Sequence, residues 1–255
     1  IILLDSEEIK KTELKINVPE YIFVGETKEI DVKTNESPVI VVYKKGYLRS
    51  EQMAYEGTEF KIPFHALKEG IEEIYSSPHG RAQQTAKPFS QLSGISKVEI
   101  LDFIKEIRFG TEEDLHNNNW NPWLGVDELI REGKDLQTSD WREYPVFKGN
   151  LATVDADKIG EEADRWLAGL GYVREGLYYR NTRSDDTEKT IAVFCHGGSS
   201  AAFMARVLNQ QFPYMCGALM RYPHTTITIL RFGRTPGNLS LPVIELLNDA
   251  GHLKG

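Results

Sequence analysis

Ile71-Glu72-Glu73-Ile74-Tyr75-Ser76-Ser77-Pro78-His79-Gly80-Arg81-Ala82-Gln83-Gln84-Thr85-Ala86 is the stretch that decides the fold of this chain. The short apolar run Ile71–Tyr75 predicts a strand, Ser-Ser-Pro ends it, and a helix is expected from Gly80. A strand that feeds directly into a helix is half of a βαβ unit, the building block of a parallel sheet. Arg81 then falls where the C-terminal edge of such a sheet meets a helix start, and there helix N–H groups and a guanidinium fork converge on an anion. By spacing alone the same residue also reads as a surface arginine of the first helical turn.

The pattern recurs toward the C-terminus. Val98–Leu101 predicts a second strand, and Ile191–Cys195 a third that leads into a helix from about Ser199 to Asn209. Ile227–Phe232 and Val243–Leu247 can supply further strands. In Phe194-Cys195-His196-Gly197-Gly198-Ser199-Ser200 a strand ends in His and two glycines allow close backbone approach. His196 reads either as a donor to phosphate oxygens or as a side chain satisfied within the protein. Glu106, just beyond the second strand, reads as a general acid at the same sheet edge or as a solvated loop carboxylate. The fold class expected for residues 67–255 is α/β, with a mainly parallel sheet flanked by helices.

Residues 111–150 interrupt this alternation with a polar stretch containing Trp120, Trp123 and Trp141. It reads as an insertion that buries its own indoles, with a lid over a site as the alternative. An amphipathic helix follows, with Ile159, Ala163, Trp166, Leu167 and Leu170 on one stripe and Asp155 or Asp157 as its cap.

Residues 1–66 have a different period. Leu14, Ile16 and Val18 alternate with polar residues, as do Phe60, Ile62 and Phe64, which predicts half-buried strands. Val39-Ile40-Val41-Val42-Tyr43 is a β-branched run ended by Lys44-Lys45-Gly46, and Tyr21–Val24 is a shorter one ended by Gly25. No helix is expected over residues 12–64, so a β-rich N-terminal portion precedes the α/β region.

The 255 residues, 40% of them hydrophobic, suffice for one large domain or two small ones. The 30 basic and 38 acidic residues give a net charge of −8, which argues against non-specific nucleic-acid binding. No apolar run approaches the roughly 18 residues of a membrane span, and Ile1–Leu4 is too short for a signal-peptide core, so no membrane partner is expected. Cys195 and Cys216 lie in apolar stretches and are expected as buried thiols, compatible with a cytoplasmic setting. No Walker loop or G-x-G-x-x-G motif occurs, so neither a cofactor nor a metal is expected.

Ser-Ser-Pro-x-x-Arg-Ala-x-x-Thr-Ala, then Lys105-Glu106-Ile107-Arg108-Phe109-Gly110, then strand-His196-Gly197-Gly198, in this order, resembles the histidine phosphatase (phosphoglycerate mutase-like) superfamily over about residues 66–255. The glycine-bounded, Tyr-rich segment Gly169–Arg180 is also similar to bacterial members. The resemblance implies a phosphate pocket holding Arg81, His196 and Gly197. It implies Glu106 as proton donor to the leaving group and His196 as the histidine that stabilises the transferring phosphoryl group. The family's phosphorylated His stands in an N-terminal strand ending Arg-His-Gly, and no Arg-His-Gly occurs in this chain. Tyr21–Thr27 and Val39–Gly46 are the two runs that could hold that strand, and one of them is expected to insert into the sheet. Residues 12–66 also resemble part of a bacterial immunoglobulin-like module, which would place a seam near Leu67–Gly70.

Three functions follow as expectations. The first is a phosphomonoester hydrolase or phosphomutase acting on a small phosphorylated molecule, impaired if nothing replaces the missing nucleophile. The second is a non-catalytic protein that binds phosphate in the same pocket. The third is a β-sandwich segment fused to a phosphatase remnant. His79 is the remaining histidine nearest Arg81 in sequence. Oligomeric state is not legible in the sequence.

Overall fold

The computed structural model describes residues 14–17, 27–34, 39–45, 49–55, 59–65, 71–187, 189–219 and 225–250. Five N-terminal strands, β1 (Leu14–Asn17), β2 (Thr27–Thr34), β3 (Val39–Lys45), β4 (Arg49–Tyr55) and β5 (Glu59–His65), pair only antiparallel. One sheet has the order β1-β2-β5, with Val32 opposite Phe60 and Ile30 opposite Ile62, and β3 pairs with β4 from Val39↔Tyr55 to Lys45↔Arg49. Of the two runs that could insert into the parallel sheet, Val39–Gly46 does not, since its strand β3 closes a local hairpin with β4. The short separation between β3 and β4 makes that pairing far cheaper in loop entropy than a distant one. Of the other run, Tyr21–Thr27, all but Thr27, which begins β2, lies outside the described residues.

The α/β region is built on a parallel sheet of β6 (Glu73–Ser76), β7 (Val98–Ile100) and β10 (Ile191–Phe194), in the order β10-β6-β7. β6 pairs with β10 from Ile191↔Glu73 to Phe194↔Ser76. Neighbouring register positions face opposite sides of a sheet, and helices cover both. On one side α1 (Gly80–Ser93) sets Phe89 against Phe194, ring centroids 5.6 Å apart, above buried Ala82 and Ala86. On the other side α3 (Leu151–Gly169) brings Trp166 edge-on to Tyr75 at 5.4 Å. Helix α1 ends at Gly94, whose φ of +73° is the left-handed conformation that glycine adopts without penalty.

The stretch 111–150 buries one of its three indoles, Trp141, and leaves Trp120 and Trp123 half-buried. It contributes α2 (Pro122–Arg131), and Trp141, 1% exposed, packs against Phe147 and Phe212 while its indole N–H donates to Gln211 at 2.9 Å. Helix α3 packs on α4 (Gly197–Val207), with buried Ala152, Ala156 and Ile159 sharing one core with Ala201, Ala202 and Ala205. The start expected for α3 is corrected: its cap is Asn150, not Asp155 or Asp157. Asp155 instead pairs with Arg108 at 2.8 Å and Asp157 with Arg142, while Leu151 and Ala152 carry the apolar stripe a turn earlier.

The remaining strands form antiparallel sheets rather than extending the parallel one. β8 (Tyr172–Glu175) and β9 (Tyr178–Asn181) make the hairpin of the Tyr-rich segment, joined by β12 (Leu239–Ser240), and β11 (Ile227–Arg231) pairs with β13 (Val243–Asp249). Asp164 of α3 ties this hairpin to α4: it accepts from Arg174 and the Tyr179 hydroxyl at 2.8 Å and from Arg206 at 2.7 Å. Burial alone would raise the Asp164 carboxyl, but these three donors hold it below the usual range. Among the described residues no helix is long and apolar enough to cross a membrane.

Asn150 is the joint between the insertion and α3. Fully buried, its Oδ1 accepts from Gly110 N at 3.1 Å and Ala152 N at 3.0 Å, and its Nδ2 donates to the carbonyls of Trp120 and Val146, both at 2.7 Å. Asn150→Ala removes a helix cap and strands buried partners, so urea denaturation is expected to show a loss of about 2–4 kcal/mol. A loss below about 0.5 kcal/mol, the size typical of surface changes, would refute this role for Asn150.

Candidate functional site

The parallel pairing of β6 and β10 brings two strand ends and two helix starts side by side. The ladder runs one step beyond the strands, because Ser77 N donates to Phe194 O at 2.8 Å. Ser77 is thereby held next to His196, and both are buried: Ser77 is 0% and His196 8% exposed. His196 Nε2 lies 2.8 Å from Ser77 Oγ, and Arg81 Nε donates to His196 Nδ1 at 3.0 Å. An arginine Nε–H can only donate, so Nδ1 is the bare acceptor nitrogen, and the proton of the neutral ring sits on Nε2 and is given to Ser77. Burial, then the charges of Arg81 and His79, push His196 down to about 4, so the ring is neutral near pH 7.

With its Nε engaged, Arg81 keeps the four N–H groups of its terminal nitrogens, which make no hydrogen bond among the described residues. One terminal nitrogen stands 4.0 Å from Glu106 Oε2, and the Arg81 side chain is 63% exposed, so this fork opens to solvent. Glu106 reaches the site through the short turn Asp102–Ile104 after β7. Its Oε1 accepts from Gly198 N at 2.9 Å, Ile107 N at 3.1 Å and Ser199 N at 3.2 Å. The carboxyl group therefore occupies the second and third amides of α4. Burial pushes it above the ordinary carboxylate range, against the opposing pull of those amides and of Arg81.

The two glycines after His196 differ. A Cβ on Gly198 would stand 2.4 Å from Ile107 Cγ1 and 2.7 Å from Glu106 Oε1, so this position needs glycine for close approach. Gly197 is exposed and a Cβ there would meet nothing within 4 Å. His79 also belongs to this cluster: its ring lies 5.0 Å from that of His196, and its N–H donates to Ser77 Oγ at 3.2 Å. Arg81, Glu106, His196 and Gly197, all singled out from the sequence, thus converge on one sheet edge. Ser77 was passed over, although a serine pair ending a strand at a helix start was the available signal. Among the described residues no group of three or more His, Cys, Asp or Glu could hold a metal ion.

Chemically, the cluster presents a guanidinium fork and a carboxyl group with raised proton affinity beside a neutral imidazole. The folded His196 value of about 4 lies below the ordinary 6.5, so as pH falls the unfolded chain takes up that proton first. The stability contributed by the neutral ring is present above about pH 6.5 and is lost progressively toward pH 4. Glu106 acts with the opposite sign, since its raised value favours the folded state as it becomes protonated. Thermal melts are therefore expected to show a smaller fall between pH 6.5 and 4 for His196→Asn than for the unmodified chain. Parallel curves would show that His196 titrates normally. Gly198→Ala is expected to cost about 1–3 kcal/mol in the same melts and to dislodge Glu106.

The chain matches the family model of the histidine phosphatase superfamily (branch 1) over residues 63–244. It is 25% identical over 135 residues to a malate dehydrogenase of Sulfurisphaera tokodaii, a match that takes in 44% of this chain and spans only 42% of that protein's length. Among solved structures it is similar to a mutant phosphoserine phosphatase from Entamoeba histolytica in complex with phosphoserine, with 23% identity and a TM-score of 0.39 over 71% of this chain and 76% of that one. The family match takes in most of the chain and every residue of the Arg81–Glu106–His196 cluster, and the chain belongs to the histidine phosphatase superfamily (branch 1).

Proposed function

We propose that this chain is a phosphomonoester hydrolase acting on a small phosphorylated molecule, with Arg81 as the phosphate-binding fork and Glu106 as the proton donor to the leaving alcohol. The observation that carries the reading is the Glu106 carboxyl, pushed above the usual range by burial while held 4.0 Å from the Arg81 guanidinium. A carboxyl group that keeps its proton nearer neutrality beside a free guanidinium fork suits a phosphomonoester, which brings a dianion and releases an alkoxide. Membership of the superfamily supports phosphatase or mutase chemistry in general.

In this reading Arg81 takes two phosphoryl oxygens through its terminal N–H groups. His196 acts as a positioning residue: its bare Nδ1 fixes the guanidinium, and Ser77 fixes the ring. The exposed Gly197 amide, the first of α4, offers a further donor to the phosphate. Charge developing on the leaving oxygen is discharged by the Glu106 proton, and no step calls for a cofactor. The absence of Arg-His-Gly favours a second reading, a protein that holds phosphate in the same pocket without turning it over.

Hydrolysis of an aryl phosphate and of an alkyl phosphate is compared, with His196→Ala as the control for contaminating phosphatase. Glu106→Gln is expected to lower alkyl phosphate turnover by about 10²–10⁴ and to spare the aryl substrate, whose phenoxide needs little protonation. The alkyl rate is also expected to fall as pH rises through the Glu106 titration. Arg81→Ala is expected to weaken orthophosphate binding by about 10–100-fold, the loss of one or two hydrogen bonds to a charged group. Equal losses on both substrates would remove Glu106 as the acid. Phosphate binding without turnover would select the second reading.

A further inference from the structure

We infer that a cleft between α3 and the C-terminal end of α4 is a binding site for a small monocarboxylate with an apolar body. Its volume is about 410 Å³, and it is lined by Ala156 and Gly160 of α3 and by Ala202, Ala205 and Arg206 of α4. Arg206 stands nine positions beyond Gly197, roughly 13 Å along the helix from the phosphate cluster. The cleft is therefore separate from that cluster and independent of the phosphatase reading. Buried Ala156, Ala202, Ala205 and Phe212 give it an apolar lining. Three of these four bring no more than a methyl group, so the space between the helices is left unfilled. An apolar body placed there gains about 25 cal/mol for each Å² removed from water.

The polar groups of the same cleft are donors with spare capacity. Arg142 gives its Nε and Nη2 to Asp157, and Arg206 gives its Nε and Nη2 to Asp164. Each guanidinium is thus held along one edge, and its Nη1 makes no hydrogen bond among the described residues. Two further contacts fix these arginines. Arg142 stacks 4.4 Å from the centre of the Trp141 ring, and the Arg206 stem lies against Gly160, where a Cβ would come within 3.3 Å of it. Gln211 is oriented by the same indole. The Trp141 N–H can only donate, and it holds Gln211 Oε1 at 2.9 Å, which leaves the Nε2 group as the unused end of that amide.

The acceptors of the cleft are largely spent. Both Asp157 oxygens are bound by Arg142, Gln210 Oε1 accepts from Gln137 at 2.8 Å, and Glu161 pairs with Arg165 at 3.3 Å. A surplus of fixed N–H donors beside an apolar lining selects a ligand with acceptor oxygens at one end, and a planar carboxylate matches a guanidinium edge. Each of the two guanidinium groups already has a carboxylate counter-charge. One negative charge is therefore accommodated better than the two of a phosphate monoester.

Sodium 4-methylpentanoate, the corresponding neutral amide and orthophosphate are titrated into the full chain by calorimetry. The carboxylate is expected to bind saturably and about 10–100-fold more tightly than the amide, the difference between charge-assisted and neutral hydrogen bonds. Orthophosphate is expected not to displace it, and Arg81→Ala to leave its affinity unchanged. Arg142→Gln is expected to weaken it by about 10-fold or more. Ala205→Leu, which fills the cleft, is expected to abolish binding while the chain stays folded. The Arg142 side chain is 44% exposed, so Arg142→Gln decides the matter if overpacking at Ala205 unfolds the chain. Absence of saturable carboxylate binding overturns the proposal. So does equal affinity for the amide, unchanged affinity in Arg142→Gln, or full binding by a folded Ala205→Leu. Displacement by orthophosphate, or a loss in Arg81→Ala, overturns it too, because the carboxylate would then sit in the phosphate cluster.

Discussion

The site depends on the parallel register of two short strands. Phe194 opposite Ser76 and the extra Ser77 N to Phe194 O bond hold Ser77 beside His196, and the remaining contacts follow. The serine hydroxyl accepts the His196 Nε2 proton, which leaves Nδ1 bare, and Nδ1 then takes the Arg81 Nε–H. A slip of one residue would turn Ser77 to the opposite face of the sheet and break this chain of bonds at its first link. Both helices at this edge begin within a few residues of their strands, so only a short turn separates the sheet from the groups it positions. The cluster is thus preorganised by backbone pairing rather than by side-chain packing alone.

Burial has opposite consequences for the two titratable groups at its centre. It disfavours the charged form of each, which means protonated Glu106 and neutral His196. A free glutamate titrates about two units below a free histidine, and here the order is reversed, with His196 lowered to about 4 while Glu106 is raised above its ordinary value. Near neutrality the pair therefore offers a carboxyl with unusual affinity for its proton and an imidazole with unusual reluctance to accept one. That division fits a carboxyl that gives a proton and a ring that orients a cation.

Local patterns predicted the strand-to-helix joins at Tyr75–Gly80 and Phe194–Ser199, because a short apolar run followed by proline or glycine is a signal within a few residues. They also brought Arg81, Glu106 and His196 to one sheet edge, since strand ends in a parallel sheet share that edge. The cap of α3 was illegible for a physical reason: Asn150 outcompetes Asp155 and Asp157 by bonding Gly110 and Trp120, residues 40 and 30 positions away. The Arg81–His196 bond spans 115 positions and leaves no periodic trace. In the N-terminal portion alternation marked β1 and β5 and a β-branched run marked β3, but pairing partners depend on register, which neither pattern encodes.

The seat of Glu106 on the second and third amides of α4 has a thermodynamic corollary. An ionised Glu106 already satisfies those amides, so in the proposed phosphatase reading a phosphate dianion arriving at Arg81 would meet a like charge about one side-chain width away. The complex is favoured when the carboxyl carries its hydrogen, and ligand association is then accompanied by net proton uptake from the buffer. Its apparent enthalpy in calorimetry would vary with the ionisation heat of the buffer chosen, and its affinity would weaken in alkaline solution even though Arg81 keeps its charge. A single carboxyl placed at a helix start thereby couples ligand occupancy to the acidity of the surroundings.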